Sequence, residues 1–324
     1  MARFLTRRLL QIPPVLLGIL LLVFFLIDAG LHDLSPKDLQ PGTSLSREEI
    51  AKRLDAFRTA HRLNDPFPVR FGAWVSDAVR LDFGASLREG RPVTEVIGGG
   101  LGPTLLVQIP ALLLAYLMGV PLGVFLALRA GRPLVRALNG FLFFLFAVPT
   151  FWVATLMVIY LATDAGWPLF PLEGLASRGA PPDLLDRAWH LVLPVTALSL
   201  PLLVWISRLT RDLLLDVRAS AWARTLRAAG FSEARIVGRY GLREALGPLA
   251  IQLGVLIPGL VGGSIIVERI FNLPGLGQVL WNATFARDFP VLQALVLATA
   301  VATLGGFLLA DTLGRLSNPR RADS

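Results

Sequence analysis

The chain has 324 residues, 54% hydrophobic and only 17% charged, with a formal net charge of +8. Soluble domains carry about 25% charge; here long stretches carry none, which excludes an ordinary soluble core and points to a membrane. There is no cysteine, and the three histidines, His32, His61 and His190, are far apart. Disulfides, zinc–thiolate sites and cysteine nucleophiles are therefore excluded, and a histidine metal site is not expected.

In chain order, six apolar runs reach the roughly 20 residues needed to cross about 30 Å of hydrocarbon: residues 9–27, 104–128, 138–162, 189–206, 248–267 and 290–310. The first follows Arg3, Arg7 and Arg8, so a cleaved signal peptide is its alternative reading. The run is long for a signal core, lacks a clear small-x-small cleavage site, and precedes five more. Six spans put both termini on one side. Segments on the N-terminal side carry 17 Arg and Lys against 5 Asp and Glu, whereas those on the other side carry 14 against 17. By the positive-inside rule both termini are cytoplasmic.

After the first run comes a long outside region. Within it residues 46–61 look helical, with Ser46 placed as an N-cap and Glu49 three residues on. Pro110, Pro121, Pro149, Pro201 and Pro258 are expected to kink or loosen the helices that hold them. Gly119 with Gly123, and Gly259 with Gly263, form small-xxx-small pairs, the latter flanked by Gly262 and Ser264. Ordinary close helix packing accounts for most such positions, and a path between helices is the other reading for residues 259–264.

The inside segment between the fourth and fifth runs, residues 207–247, has a solvated linker as its simplest reading, but its content argues otherwise. Its stretch 219–236 predicts a short helix, a turn at Gly230, and a second helix capped by Ser232 with Glu233 in its first turn. Trp222, Leu226 and Ala229 fall on one face. Two readings stand side by side. A short helix tipped with Ala and Gly can approach another protein closely, with Arg224 and Arg227 reaching its carboxylates or carbonyls. It can equally lie on the membrane surface as an amphipathic helix.

No energy source is visible. The only lysines, Lys37 and Lys52, follow Pro36 and Ala51, so there is no nucleotide-binding P-loop. The only ionisable Asp, Glu, Lys, Arg or His within the six runs is His190, near an end, so no mid-membrane charge relay is present. Nor do the spans hold a hydrolase constellation. If the chain transports, the work must enter from another subunit.

The short helix and turn within the inside segment comprise Ala223, Arg224, Thr225, Leu226, Arg227, Ala228, Ala229, Gly230, Phe231, Ser232 and Glu233. From Arg224 on they resemble the cytoplasmic signature of dipeptide/oligopeptide-type ABC permeases, which typically reads Arg-Thr-Ala-Arg-Ala-Lys-Gly-Leu. The resemblance runs through nearly the whole chain: Leu81 to Arg88, Arg91 to Thr94, Pro149 to Trp152, His190 to Pro194, Ser207 to Arg211, Leu242 to Pro248, Gly262 to Glu268, Phe271 to Gly277, Arg287 to Pro290, and the tail Asn318-Pro319-Arg320. Leu226, Ala229 and Asn318 depart from the commoner residues, and the stretch 46–80 matches poorly.

The resemblance implies an all-α integral membrane protein of type I (MetI-like) importer fold, with six transmembrane helices and both ends inside. Residues 1–97 would form an N-terminal helix and outside region. Residues 98–313 would form the five-helix core, with a coupling helix near 219–236, and residues 314–324 a cytoplasmic tail. It also implies a non-catalytic subunit with no cofactor of its own, ATP and Mg being held by partners. Those partners are two ABC ATPase subunits, a homologous second (C-type) permease and an extracytoplasmic solute-binding protein, within a lipid bilayer and without nucleic acid. Peptide cargo is the leading expectation; nickel, an opine or an oligosaccharide is the alternative. A channel or scaffold needing no ATPase is the reading from another class.

Overall fold

A computed structural model describes residues 2–32, 64–177 and 183–317; the helix expected over 46–61 lies outside them, as does the tail motif from Asn318. The described residues are helical, with no named strand and one isolated antiparallel bridge, between Ala85 and Pro92. In order the helices are α1 Ala2–His32, α2 Phe67–Val79, α3 Val93–Leu128, α4 Pro133–Ala147, α5 Thr150–Ala162, α6 Leu184–Ala219, α7 Ala221–Ala228, α8 Leu242–Gly262, α9 Ile265–Ile270, α10 Leu276–Phe285 and α11 Phe289–Ser317. A single turn, Glu233–Arg235, and a π-helical turn, Ile236–Gly241, lead into α8.

Four helices are long and apolar enough to cross a bilayer: Val93–Leu128, Leu184–Ala219, Glu233–Gly262 and Phe289–Leu316. The pair α4 and α5 makes a fifth if it is counted as one bent span, while the apolar part of α1, Leu10–Phe25, is shorter. Among the described residues, length and hydropathy thus give four or five spans, and the expected count of six is not reached by this measure. Two departures have local causes. The third expected span is bent by 94° between α4 and α5, because Val148 and Pro149 are both extended (φ −73°, ψ 126° and φ −59°, ψ 133°). Proline supplies no N–H and drives the residue before it out of the helical region. The fifth expected span, 248–267, ends early: α8 stops at Gly263, whose φ of 67° and ψ of −176° no helix continues. The other flagged prolines, Pro110, Pro121, Pro201 and Pro258, lie inside uninterrupted helices.

Helices α3 and α6, each of 36 residues, are about 54 Å long at 1.5 Å per residue and so overreach the hydrocarbon at both ends. They pack closely because of small residues. A Cβ on Gly119 would lie 3.0 Å from the Leu203 carbonyl, and one on Gly123 2.5 Å from the Ser207 carbonyl. In the α8–α11 pair Gly254 and Gly306 play the same part. Association in lipid rests on such close backbone approach, because burying apolar surface away from lipid tails gains little. The large apolar side chains that remain exposed, such as Leu113, Leu117, Phe143 and Phe144, are the lipid-facing surface such a bundle requires.

On the outside, α2 docks on α1 through edge-on contacts of Phe24 with Phe67 and Phe71 and a buried bidentate ion pair of Arg70 with Asp28. The Trp74 indole N–H donates to Gln293 of α11 at 3.1 Å.

Candidate functional site: a capped elbow and a broken helix

The elbow is built by local capping. The Ser220 hydroxyl accepts from the Ala223 N–H at 3.3 Å and starts α7. At the other end the Gly230 N–H donates to the Arg227 carbonyl (2.9 Å) and the Phe231 N–H to the Leu226 carbonyl (3.0 Å). With Gly230 at φ 83°, this is the double-bonded glycine stop of a helix. The Ser232 hydroxyl then accepts from the Arg235 N–H and starts the next turn.

The structure separates the two arginines that the sequence treats alike. Arg227 turns inward: its guanidinium pairs with Glu233 and donates to the Arg218 carbonyl at 2.9 Å. Arg218 donates to Glu233 at 3.1 Å and to the Ala127 carbonyl, at the end of α3, at 2.6 Å. The Glu233 hydrogen bond raises the Arg227 pKa further above its already high value, so this cation is charged at any pH the protein meets. Arg227 is therefore a brace within the chain rather than a hand held out to a partner. Arg224 is exposed and makes no ion pair among the described residues. The face shared by Trp222, Leu226 and Ala229 also points otherwise than a core face: Trp222 and Ala229 are exposed, Leu226 is half-buried, and Ala223 is the fully buried residue of α7. Packing through a methyl group lets α7 lie close on its neighbours and presents Trp222, Arg224, Thr225, Ala228, Ala229 and Gly230 outward.

The glycine-rich residues 259–264 sit at the far end of α8. A Cβ on Gly259 would meet nothing within 4 Å and one on Gly262 only a Thr299 methyl at 3.9 Å, so neither is a close-packing glycine here. Gly263 carries the break, and Ser264 begins the turn into α9. Val261 and Gly262 line a cavity of about 410 Å³, mostly apolar, with Leu276, Leu295 and Thr299 opposite.

Besides Asp28, two more buried carboxylates on the outer side escape a reading by runs of hydropathy. Glu268, one residue past the fifth expected span, is 2% exposed, and Asp288 is equally buried. Asp288 accepts from the Ser86 hydroxyl and from the N–H groups of Leu87 and Arg88, at 3.1 and 3.3 Å. It thereby clasps the outside loop before α3 onto the start of α11. The available signal was chemical: a lone acid beside Gly-rich or Pro-containing sequence, Glu268 before Pro274-Gly275 and Asp288 before Phe289-Pro290. His190 is satisfied locally, its Nδ1 lying 2.8 Å from the Asp186 carbonyl.

A bundle of apolar helices with long inner and outer connections defines a multi-pass membrane protein. Residues 119–323 match the family described as the binding-protein-dependent transport system inner membrane component, and the chain belongs to that family. It is 36% identical to the oligopeptide transport system permease protein AppB of Bacillus subtilis, over 99% of both chains. It is 31% identical to the probable peptide ABC transporter permease protein y4tP of Sinorhizobium fredii, again over 99% of both. It is 32% identical to the glutathione transport system permease protein GsiC of Salmonella typhimurium, over 98% of both. Among solved structures the fold resembles that of a chain from the MetNI methionine ABC transporter, with a TM-score of 0.51 at 19% identity, over 68% of this chain and 97% of that one.

Proposed function

We propose that the chain is the pore-forming permease subunit of an ATP-driven importer of di- or oligopeptides. Peptide cargo is supported by three relatives whose names specify an oligopeptide, a peptide and glutathione, itself a peptide. On this reading residues 1–97 are an accessory helix and outside region, 98–313 the transmembrane core and 314–324 a tail. The chain holds no cofactor and catalyses no reaction. ATP and Mg belong to two ATPase subunits, a homologous permease supplies the other half of the path, and a solute-binding protein delivers cargo from outside.

The observation that carries the reading is the elbow. A helix of eight residues is too short to be stable alone, yet here it is braced by Arg218, Arg227 and Glu233 and offers small residues and one free arginine outward. Such a preformed, low-profile knob suits the groove of a rigid partner, because binding then costs little ordering entropy. Residues 223–233 are thus assigned as the coupling helix. Residues 259–264, at the opposite end of the same helix α8, are assigned to the wall of the path. Closure of the ATPases would draw the elbows of the two permeases together, tilt α8 and open the path outward by alternating access.

The test is reconstitution in lipid vesicles of this chain with a second permease, the ATPases and a binding protein. ATP-dependent accumulation of labelled peptide is expected only when all are present, with the elbow labelled solely from the ATPase side. Accumulation by the purified chain alone, or an elbow reached from the opposite side, would overturn the assignment.

A further inference from the structure

The transport reading leaves Glu268 unexplained. On the short helix α9 its Oε1 accepts from the Thr104 hydroxyl at 2.9 Å and from the Ser264 N–H at 3.3 Å. Its Oε2 accepts from the Gln278 N–H at 3.1 Å. The Thr104 hydroxyl in turn accepts from the Leu276 N–H at 2.7 Å. One carboxylate thus gathers α3, the start of α10 and the residue just past the break in α8. The backbone closes on it because the surrounding residues are glycines: a Cβ on Gly263, Gly275 or Gly277 would lie 2.7, 2.4 or 2.8 Å from a Glu268 oxygen.

Burying a carboxylate this thoroughly gains little over apolar packing even when its bonds are complete, so its use is better sought in placement than in stability. The placement is specific. Ser264 stands four residues after Leu260, so in a continued helix its N–H would bond the Leu260 carbonyl. Glu268 takes that donor instead, and the chain leaves the helix at Gly263. Glu268 also stands where two apolar clusters meet, one around Val93, Leu276 and Val291 and the other around Val107, Val267 and Leu273.

We propose that Glu268, with Thr104 as its donor, is a positioning residue for the outer wall of the translocation path. By capturing the Ser264 N–H it holds the break in α8 and so sets where residues 259–264 stand. This rests on the assignment of those residues to the path. The natural absence of cysteine allows a test that needs no cargo. In an S264C background, assembled with its partner subunits in vesicles, the alkylation rate of the new thiol is measured with a membrane-impermeant maleimide, and peptide taken up per ATP is measured separately.

T104V removes the hydroxyl at nearly constant volume and leaves both Glu268 and the Leu276 N–H short of a bond. It is expected to change the alkylation rate, and to lower peptide per ATP, by about fivefold or more. T104S restores the hydroxyl and is expected to stay within about twofold of the parent in both. E268Q turns an amide N–H toward the Gln278 donor or toward Thr104 and Ser264, and is expected to follow T104V. Equal alkylation in T104V, E268Q and T104S, with normal assembly, would overturn the proposal. So would failure of T104V and E268Q to assemble while T104S does, which would assign the clasp to folding alone. A T104V/T104S split at the thiol in a complex that moves no peptide would sink the peptide assignment and leave this one standing.

Discussion

Gly230 gives the sharpest test of the elbow, because its demand is purely conformational. Its φ is 83°, and a Cβ built there meets nothing within 4 Å. A substitution therefore suffers no clash, only the cost of the left-handed backbone, about 1–2 kcal/mol for an L-residue. That corresponds to roughly a 5- to 30-fold loss in the population of the correct turn. Asn tolerates this region better than Ala, and a β-branched side chain tolerates it worst. Coupling should accordingly fall in the order Gly, Asn, Ala, Val, an order that follows neither size nor polarity alone. The assay is peptide-stimulated ATP hydrolysis by the reconstituted complex, with membrane insertion followed in parallel and expected to be unchanged across the series. Wild-type stimulation in G230V, or an Asn variant worse than Val, would refute the idea that a fixed glycine stop transmits the stroke.

Two further outcomes are expected. G123V should abolish the folded bundle, because even a Cβ there would lie 2.5 Å from the Ser207 carbonyl and 2.6 Å from the Thr210 Cβ. G259A, which adds a methyl to open space, should leave it intact; equal thermal aggregation of the two detergent-solubilised variants would contradict this division of the glycines. D288A should leave the Ser86 hydroxyl and the Leu87 and Arg88 N–H groups without their acceptor, at about 1–3 kcal/mol for each group that stays buried. The outside loop should then become a site of rapid external proteolysis while the spans persist, and unchanged cleavage would show that the loop is held by something else.

Much of the membrane part was legible because hydropathy reports what lipid demands, and lipid acts on every exposed residue alike. The elbow was legible for a different reason: Gly230 and Ser232 are local signals whose effect does not depend on the rest of the fold, and the Ser220 cap, equally local, emerges only in the structure. What the sequence concealed was long-range. Arg224 and Arg227 are three residues apart in one short helix, and only the return of Glu233 beneath it decides which is spent on bracing. Glu268 counted as a charge in an outside loop because nothing nearby in sequence reveals Thr104, whose hydroxyl it meets across 164 positions. Likewise Pro149 and Pro201 look equivalent on paper. Pro201 lies in α6, whose path is held by close packing along α3, whereas Pro149 stands at the bend between α4 and α5.

On the proposed reading, the elbow and the break belong to one lever. From Leu242 to Gly262 α8 spans 21 residues, about 31 Å of uninterrupted rise, enough to carry a displacement from one face of the bilayer to the other without any charge moving through it. Its inner end is joined to α7 through the Gly230 stop, the turn Glu233–Arg235 and a π-helical turn, the last a geometry frequent at functional sites. Its outer end is pinned by a buried carboxylate to α3 and α10. A lever that yields at one end and is fixed at the other turns a small push on α7 into a change of tilt, and the residues that feel it most at the outer side are those beside the break. This arrangement explains why the chain keeps an expensive buried acid so near an otherwise uncharged span: an unpinned helix end would dissipate the stroke by unwinding.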